Sequence, residues 1–205
     1  MSTSLASIRK ENALEQLAAC DLERMKRRKS KVYHPIPISC CELIRSVAGN
    51  SKCVDCEASN PDWVAVSYGA LICMSCSARH RSLGVNYSKV RSLTMDHWSV
   101  DEVLNMLEGG NEQLDSFFGR HALSTHGEQA AENLSKRYKT KAAKFYRVGI
   151  DLHVTQVAAT PYEGREASRR GKSPVSASQK VRNRDEASTG SCHWHPTPVR
   201  ILNVL

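Results

Sequence analysis

No stretch of this 205-residue chain is apolar over anything near the roughly 18 residues that a membrane-spanning helix needs. The first residues carry Arg9, Lys10 and Glu11 without a continuous apolar run, so a secretory leader is not expected. Aromatics are scarce, at 6% of the chain, and nine of the twelve fall between Trp63 and Tyr146. A packed core with large side chains is therefore expected in that segment. Internal repeats are also lacking. From Thr160 to Pro198 apolar residues are few, while Ser, Arg, Gly and Pro are common. That composition cannot offset the entropy of ordering, so residues 156–205 are expected to form a disordered basic tail.

The net charge of +8 is unevenly placed. Residues 1–31 carry eight Lys/Arg against four Asp/Glu, and residues 161–205 carry the same. Of the 29 basic and 21 acidic residues, thirteen of each sign remain between 32 and 160, so that middle is neutral. A domain that grips phosphate backbone through its own surface should be basic there.

What the chain does have is cysteine. Eight in a chain not expected to carry a leader point to a reducing compartment, cytosolic or nuclear, and to metal binding before disulfides. Cys53-x2-Cys56 and Cys73-x2-Cys76 are separated by sixteen residues. Each Cys-x2-Cys turn presents two sulfurs from one tight knuckle, and two knuckles close a tetrahedron around one Zn²⁺. Four thiolates leave no position for water, so the expected ion is structural. Cys20, Cys40 and Cys41 have no spaced partner pair and are expected to be buried or idle thiols. Cys192-His193-Trp194-His195 lies in the tail and suggests only adventitious metal contact.

The elements around these pairs follow from local pattern. Leu14, Leu17, Leu22 and Met25 give a loose apolar stripe on a helix from Glu11 to Lys29, ahead of the basic run Lys26–Lys31. Prolines 35 and 37 break that helix, and a boundary is expected near residue 37. A short helix is expected over Cys41–Val47, strands over Trp63–Ser67, Ala70–Ile72 and Lys89–Met95, and a helix over Met74–Leu83 closed by Gly84. Ser99 and Glu102 have capping-box spacing before Val100, Val103, Leu104 and Leu107. Gly109-Gly110 ends that helix and Asn111 can cap the next; further helices are expected over Ala131–Tyr138 and Thr140–Val148. The fold class is α+β: a small four-cysteine zinc finger with a three-stranded sheet surrounded by about five to six helices, over residues 38–155, with a basic helical segment 1–37 before it.

On α-helical geometry Arg79 and Arg81 are separated by about 200°, so they serve different surfaces. An arginine just past a metal knuckle is rigidly placed, and a guanidinium suits phosphate because its planar fork keeps its charge. A solvated surface arginine fits the same spacing.

The stretch CVDCEASNPDWVAVSYGALICMSCSARHRSLGVNYSKVRSLTMDHW closely resembles the zinc-finger GTPase-activating domain for ADP-ribosylation-factor (Arf) small GTPases, with its pattern Cys-x2-Cys-x16-Cys-x2-Cys-x4-Arg. The likeness continues through Gly109–Asn111 and YKTKAAKFYR, Tyr138 to Arg147, and covers about residues 40–152. It implies that Arg81 is an arginine finger acting in trans, and that the chain is a GTPase activator and not itself an enzyme. Trp63 would support the surface near that arginine, Met74 would contact the partner, and Asp96 would help orient the finger. The partner would be an Arf-family GTPase in its GTP form. The setting would be cytoplasmic vesicle trafficking, peripheral on Golgi or other endomembranes, with the basic flanks able to meet anionic membrane. Departures from the family are Glu57 and Ala78, where glycine is usual and a turn could be strained, and Asn86, often histidine. Two other readings compete. A GATA-like DNA-binding finger has seventeen residues between its pairs and a basic tail, against sixteen and a neutral middle here. A scaffold that keeps the fold without accelerating hydrolysis would not need Arg81.

Overall fold

In the computed structural model, residues 5–27, 34–123 and 134–159 are described. Helix α1 (Leu5–Arg27) ends on Arg24, Lys26 and Arg27, cations that complement the carbonyl end of a helix. Its buried face is Ala18, Leu22 and Met25, at i, i+4 and i+7. Leu17, expected in the stripe, is instead 56% exposed, because the face is set by the small Ala18 and Ala19 that let α1 approach its neighbour closely. That neighbour is α2 (Ile38–Ser46), whose Cys40, Leu43 and Ile44 complete the contact. Ser39 Oγ donates to Asp21 Oδ2 at 2.8 Å across the same seam. The segment read from sequence as a flank thus shares a core with the helix after residue 37. Both prolines lie between the two helices, Pro37 directly before α2 and Pro35 in a strand: β1 (His34–Pro35) pairs antiparallel with β5 (His97–Trp98), a pairing the sequence did not suggest.

The expected three-stranded sheet is present, in the order β3-β2-β4, formed by β2 (Trp63–Ala65), β3 (Ala70–Ile72) and β4 (Val90–Ser92). Trp63 registers with both Ile72 and Ser92. The strands are shorter than expected at three ends, one of them Lys89, which precedes β4. Val66–Tyr68 turns as a 3-10 helix, and residues after Ser92 enter a turn before β5. Both sheet faces are buried, which is why β3 is apolar throughout and does not alternate. Val64, Val66 and Leu71 pack with α1, α2 and α4 (Val100–Glu108). Ala65, Ala70 and Ile72 pack with the aromatics of α5 (Asn111–Arg120), α6 (Leu134–Tyr138) and α7 (Lys141–Ala159). Between β3 and β4 lies α3 (Met74–Leu83). The capping box forms as expected, with Glu102 N to Ser99 Oγ and Ser99 N to Glu102 Oε2.

Two expectations need correction. Asn111 does not cap α5; Gly110 occupies that position. Asn111 turns its amide onto the free edge of β3, accepting from Leu71 N at 2.7 Å and donating to Leu71 O at 3.0 Å and to Lys52 O at 2.5 Å. It thereby covers an edge strand as another strand would. Helix α7 runs to Ala159, eleven residues past the expected end at Val148 and into the span expected to be disordered, because Ile150 and Val154 continue its buried stripe. The Cys-His-Trp-His sequence and the tail beyond Ala159 lie outside the described residues. At the centre, Gly69 and Gly109 cross with no room for a side chain. A Cβ on Gly109 would fall 2.7 Å from Gly69 Cα, and Gly110 N donates to Gly69 O at 2.8 Å.

Candidate metal centre and arginine surface

The first knuckle, Cys53 to Cys56, is folded by two backbone bonds: Cys53 N donates to Ala58 O and Glu57 N to Cys53 O, at 2.8 and 2.9 Å. Val54 N donates to Leu71 O, which ties it to the sheet. The second knuckle is the start of α3, where Cys73 is the N-cap and its sulfur accepts from Cys76 N. The hairpin β2–β3 brings the two together, as the spacing predicts. All four ligand sulfurs lie within 4.8 Å of one another, with Cys56 and Cys73 at 3.5 Å. A tetrahedral tetrathiolate with bonds of about 2.3 Å has edges of about 3.8 Å, so the sulfur set fits a single metal ion. Among these thiols the hydrogen bond from Cys76 draws Cys53 down to about 5, and donating it holds Cys76 far up.

The finer departures from the family have different consequences. Glu57 has φ +61°, the left-handed conformation that favours glycine, so the strain expected there is real. Ala78 has no such strain: it is exposed within regular α3, where alanine is the better helix former. Asn86 lies in the exposed loop after α3, its carbonyl bonded by Arg147.

Arg81 is exposed in the last turn of α3, and its guanidinium carbon lies 4.4 Å from the centroid of the half-buried Trp63 ring. Arg79 is also exposed. Met74 is 74% exposed at the first position of α3, seven residues before Arg81. That spacing puts both on one helix face, about 10.5 Å apart along the axis. Asp96 is half-buried, and its carboxylate accepts from Ser92 N at 2.6 Å. Ser92 is the register partner of Trp63, so Asp96 joins the arginine surface through Ser92 and Trp63 and not by a bond to the guanidinium. Of the other cysteines among the described residues, Cys20 is exposed, Cys41 half-buried, and Cys40 is buried with its thiol pushed up to about 12 by burial.

Sequence reasoning missed a buried polar network behind the metal centre. Asp55, between the two ligands of the first knuckle, accepts from Arg137 Nη1 at 2.9 Å and Tyr138 OH at 2.8 Å. Its other oxygen is 2.9 Å from His80 Nε2, and His80 Nδ1 is 2.7 Å from Ser88 Oγ. Burial opposes the Asp55 charge, yet the bonds from His80, Tyr138 and Arg137 hold its carboxyl below the ordinary range. This network fastens the first knuckle to α3, to the loop after it and to α6. An acidic residue inside a Cys-x2-Cys turn was the available signal, but its partners lie up to 83 residues away.

Fold and site thus define a class: a tetrathiolate metal module that presents an exposed, aromatic-backed arginine. Residues 39–152 match the ArfGap family, described as "Putative GTPase activating protein for Arf", and the chain belongs to that family. It is 41% identical over 114 residues to ADP-ribosylation factor GTPase-activating protein 3 of Mus musculus, a match covering 55% of this chain and 21% of that protein. It is 46% identical over 78 residues to ADP-ribosylation factor GTPase-activating protein GCS1 of Saccharomyces cerevisiae, covering 38% of this chain and 22% of that one. The chain therefore spans about a fifth of the length of these relatives. Among solved structures it is similar to a putative GTPase activating protein for ADP ribosylation factor from Cryptosporidium parvum, with TM-score 0.51 and 27% identity over 57% of this chain and 90% of that one.

Proposed function

We propose that this chain activates GTP hydrolysis on an Arf-family small GTPase in its GTP form by presenting Arg81 in trans as an arginine finger. The ion held by Cys53, Cys56, Cys73 and Cys76 is a structural Zn²⁺: four thiolates suit a borderline-soft d¹⁰ ion and leave it no site for water. When bound it supplies folding free energy, about 10–16 kcal/mol in zinc-finger peptides, and no step of the reaction. The observation that carries the reading is the exposed Arg81 guanidinium held over Trp63. Hydrolysis builds negative charge on the oxygens of the transferring phosphoryl group. A guanidinium delivered there stabilises that charge, and such a finger is worth about 10³–10⁵ in rate. Met74, on the same helix face, would meet an apolar patch of the GTPase beside the nucleotide, and Asp96 would keep the turn behind Trp63 in place. The basic residues 1–31 and 161–205 would hold the chain to anionic cytoplasmic membrane on the Golgi or another endomembrane, where the GTPase is loaded.

The decisive experiment is single-turnover GTP hydrolysis with a panel of Arf-family GTPases. Wild type accelerates hydrolysis, while Arg81→Lys and Arg81→Ala do not, at unchanged metal content. Lysine fails because a point charge lacks the planar fork. Acceleration by either variant at the wild-type level defeats the assignment of Arg81; binding without acceleration by wild type would make the chain a scaffold.

A further inference from the structure

We infer that Arg147, on α7 and outside the cysteine-rich segment, is a positioning residue that holds the end of α3 and thereby immobilises Arg81. The inference deepens the GTPase-activating reading and rests on it.

Arg81 is in a vulnerable place. It occupies the last turn of α3, five residues and about 7.5 Å along the axis beyond Cys76, the nearest metal ligand. The last turn of a helix has carbonyls without intrahelical partners and frays unless something holds it. The Arg81 carbonyl itself takes the Gly84 amide at 3.1 Å, and Tyr87 N and Ser88 N both donate to Gly84 O at 2.9 and 3.0 Å. The inner face of that turn is held by the buried His80 and Leu83, while its carbonyl end is closed by the 84–88 loop, which is exposed apart from Ser88.

Two anchors fix it. One is the buried His80–Ser88 contact. The other is Arg147, whose Nη1 donates to Asn86 O and, at 3.1 Å, to Tyr87 O. Its guanidinium carbon lies 5.8 Å from the ring centroids of both Tyr68 and Tyr87, so the one cation meets a fully buried ring and a loop ring. Tyr68 is itself held by Tyr138 at 4.8 Å and Tyr146 at 6.3 Å. The rigid aromatic core of α6 and α7 is thus extended, through one side chain, to the backbone that caps the finger helix. Lysine at 147 could reach one carbonyl but could not stack and donate together.

The test uses the full metal-loaded chain as wild type, Arg147→Lys and Arg147→Ala, with two readouts. In single-turnover hydrolysis by a GTP-loaded Arf-family GTPase, Arg147→Ala lowers the saturating rate by about 10–100-fold and leaves the half-saturating activator concentration within about twofold, since contact area is kept and geometry is lost. Arg147→Lys falls between. In amide hydrogen exchange, Gly84, Tyr87 and Ser88 exchange faster in Arg147→Ala while β2 and β3 keep wild-type protection. An unchanged saturating rate, a loss confined to half-saturation, or faster exchange spread over the whole fold would each overturn the inference. If wild type itself fails to accelerate hydrolysis, the GTPase-activating reading is lost and the catalytic role of Arg147 with it. The exchange pattern then decides separately whether Arg147 holds the helix end.

Discussion

The Arg81 guanidinium lies over the Trp63 indole at 4.4 Å, joining the end of α3 to the central strand of the sheet. A flexible arginine at a surface samples many rotamers, and an aromatic face removes most of them. Cation–π attraction at an exposed site is worth about 0.5–1 kcal/mol, which corresponds to a few-fold in rate if it is realised at the transition state. Trp63→Ala should therefore lower saturating GTP hydrolysis by more than this few-fold, since packing is lost too, and Trp63→Phe by less. Stimulation by Trp63→Ala equal to wild type would show that the ring does not organise the arginine.

Metal removal should do more than silence the surface. The sheet has three strands of three residues each, and its hairpin is closed by the knuckles. Such a unit is too small to hold itself without the ion. Chelation at neutral pH should abolish the cooperative thermal transition of the cysteine-rich segment, and adding one equivalent of Zn²⁺ should restore it. Full retention of the transition after elemental analysis shows less than about a tenth of an equivalent of metal would refute a folding role for the ion.

How far the sequence could be read depended on how local each feature is. The Cys-x2-Cys pairs, the capping box of Ser99 and Glu102, and the helix Met74–Leu83 are each decided within a few residues, and they stand as expected. Arg81 on its own was ambiguous between a solvated residue and a finger; the ring beneath it comes from a strand eighteen residues earlier. Asn111 looked like a cap because asparagine favours caps, but the exposed edge of β3 competed for its amide and won. Asp55, His80, Arg137 and Arg147 were illegible because long-range packing selects their partners, and no spacing encodes it.

Glu57 and Ala78 separate strain from propensity. At φ +61° a glutamate carries a cost that glycine does not, while in regular helix the preference is reversed. Glu57→Gly should stabilise the metal-loaded protein by about 1 kcal/mol, and Ala78→Gly should destabilise it by about the same amount. Urea denaturation at fixed metal concentration measures both. Equal signs for the two substitutions would contradict the assignment of left-handed backbone to residue 57.

Glu102 links the sheet to α4 and gives the fold an acid-sensitive joint. Its carboxylate closes the capping box and also meets Lys89 Nζ at 2.5 Å and Arg91 Nε at 3.0 Å. Burial alone would raise its pKa; the Lys89 ammonium, the Ser99 amide and Arg91 together outweigh that and leave it below the ordinary 4.5. A carboxyl depressed by folding stabilises the protein fully above its unfolded value and loses that contribution as pH falls through the folded one. Glu102→Gln keeps an oxygen for the Ser99 amide but loses both ion pairs, which at this nearly buried site should cost about 1–3 kcal/mol. The difference between wild type and Glu102→Gln should therefore be constant from about pH 7 to about 5, shrink below about 4.5 and vanish once wild type is protonated too. Loss of metal in acid affects both proteins and cancels in the comparison. A gap that persists unchanged at about pH 3, or that first closes on raising the pH, would mean that the Glu102 charge is not what joins β4 to α4.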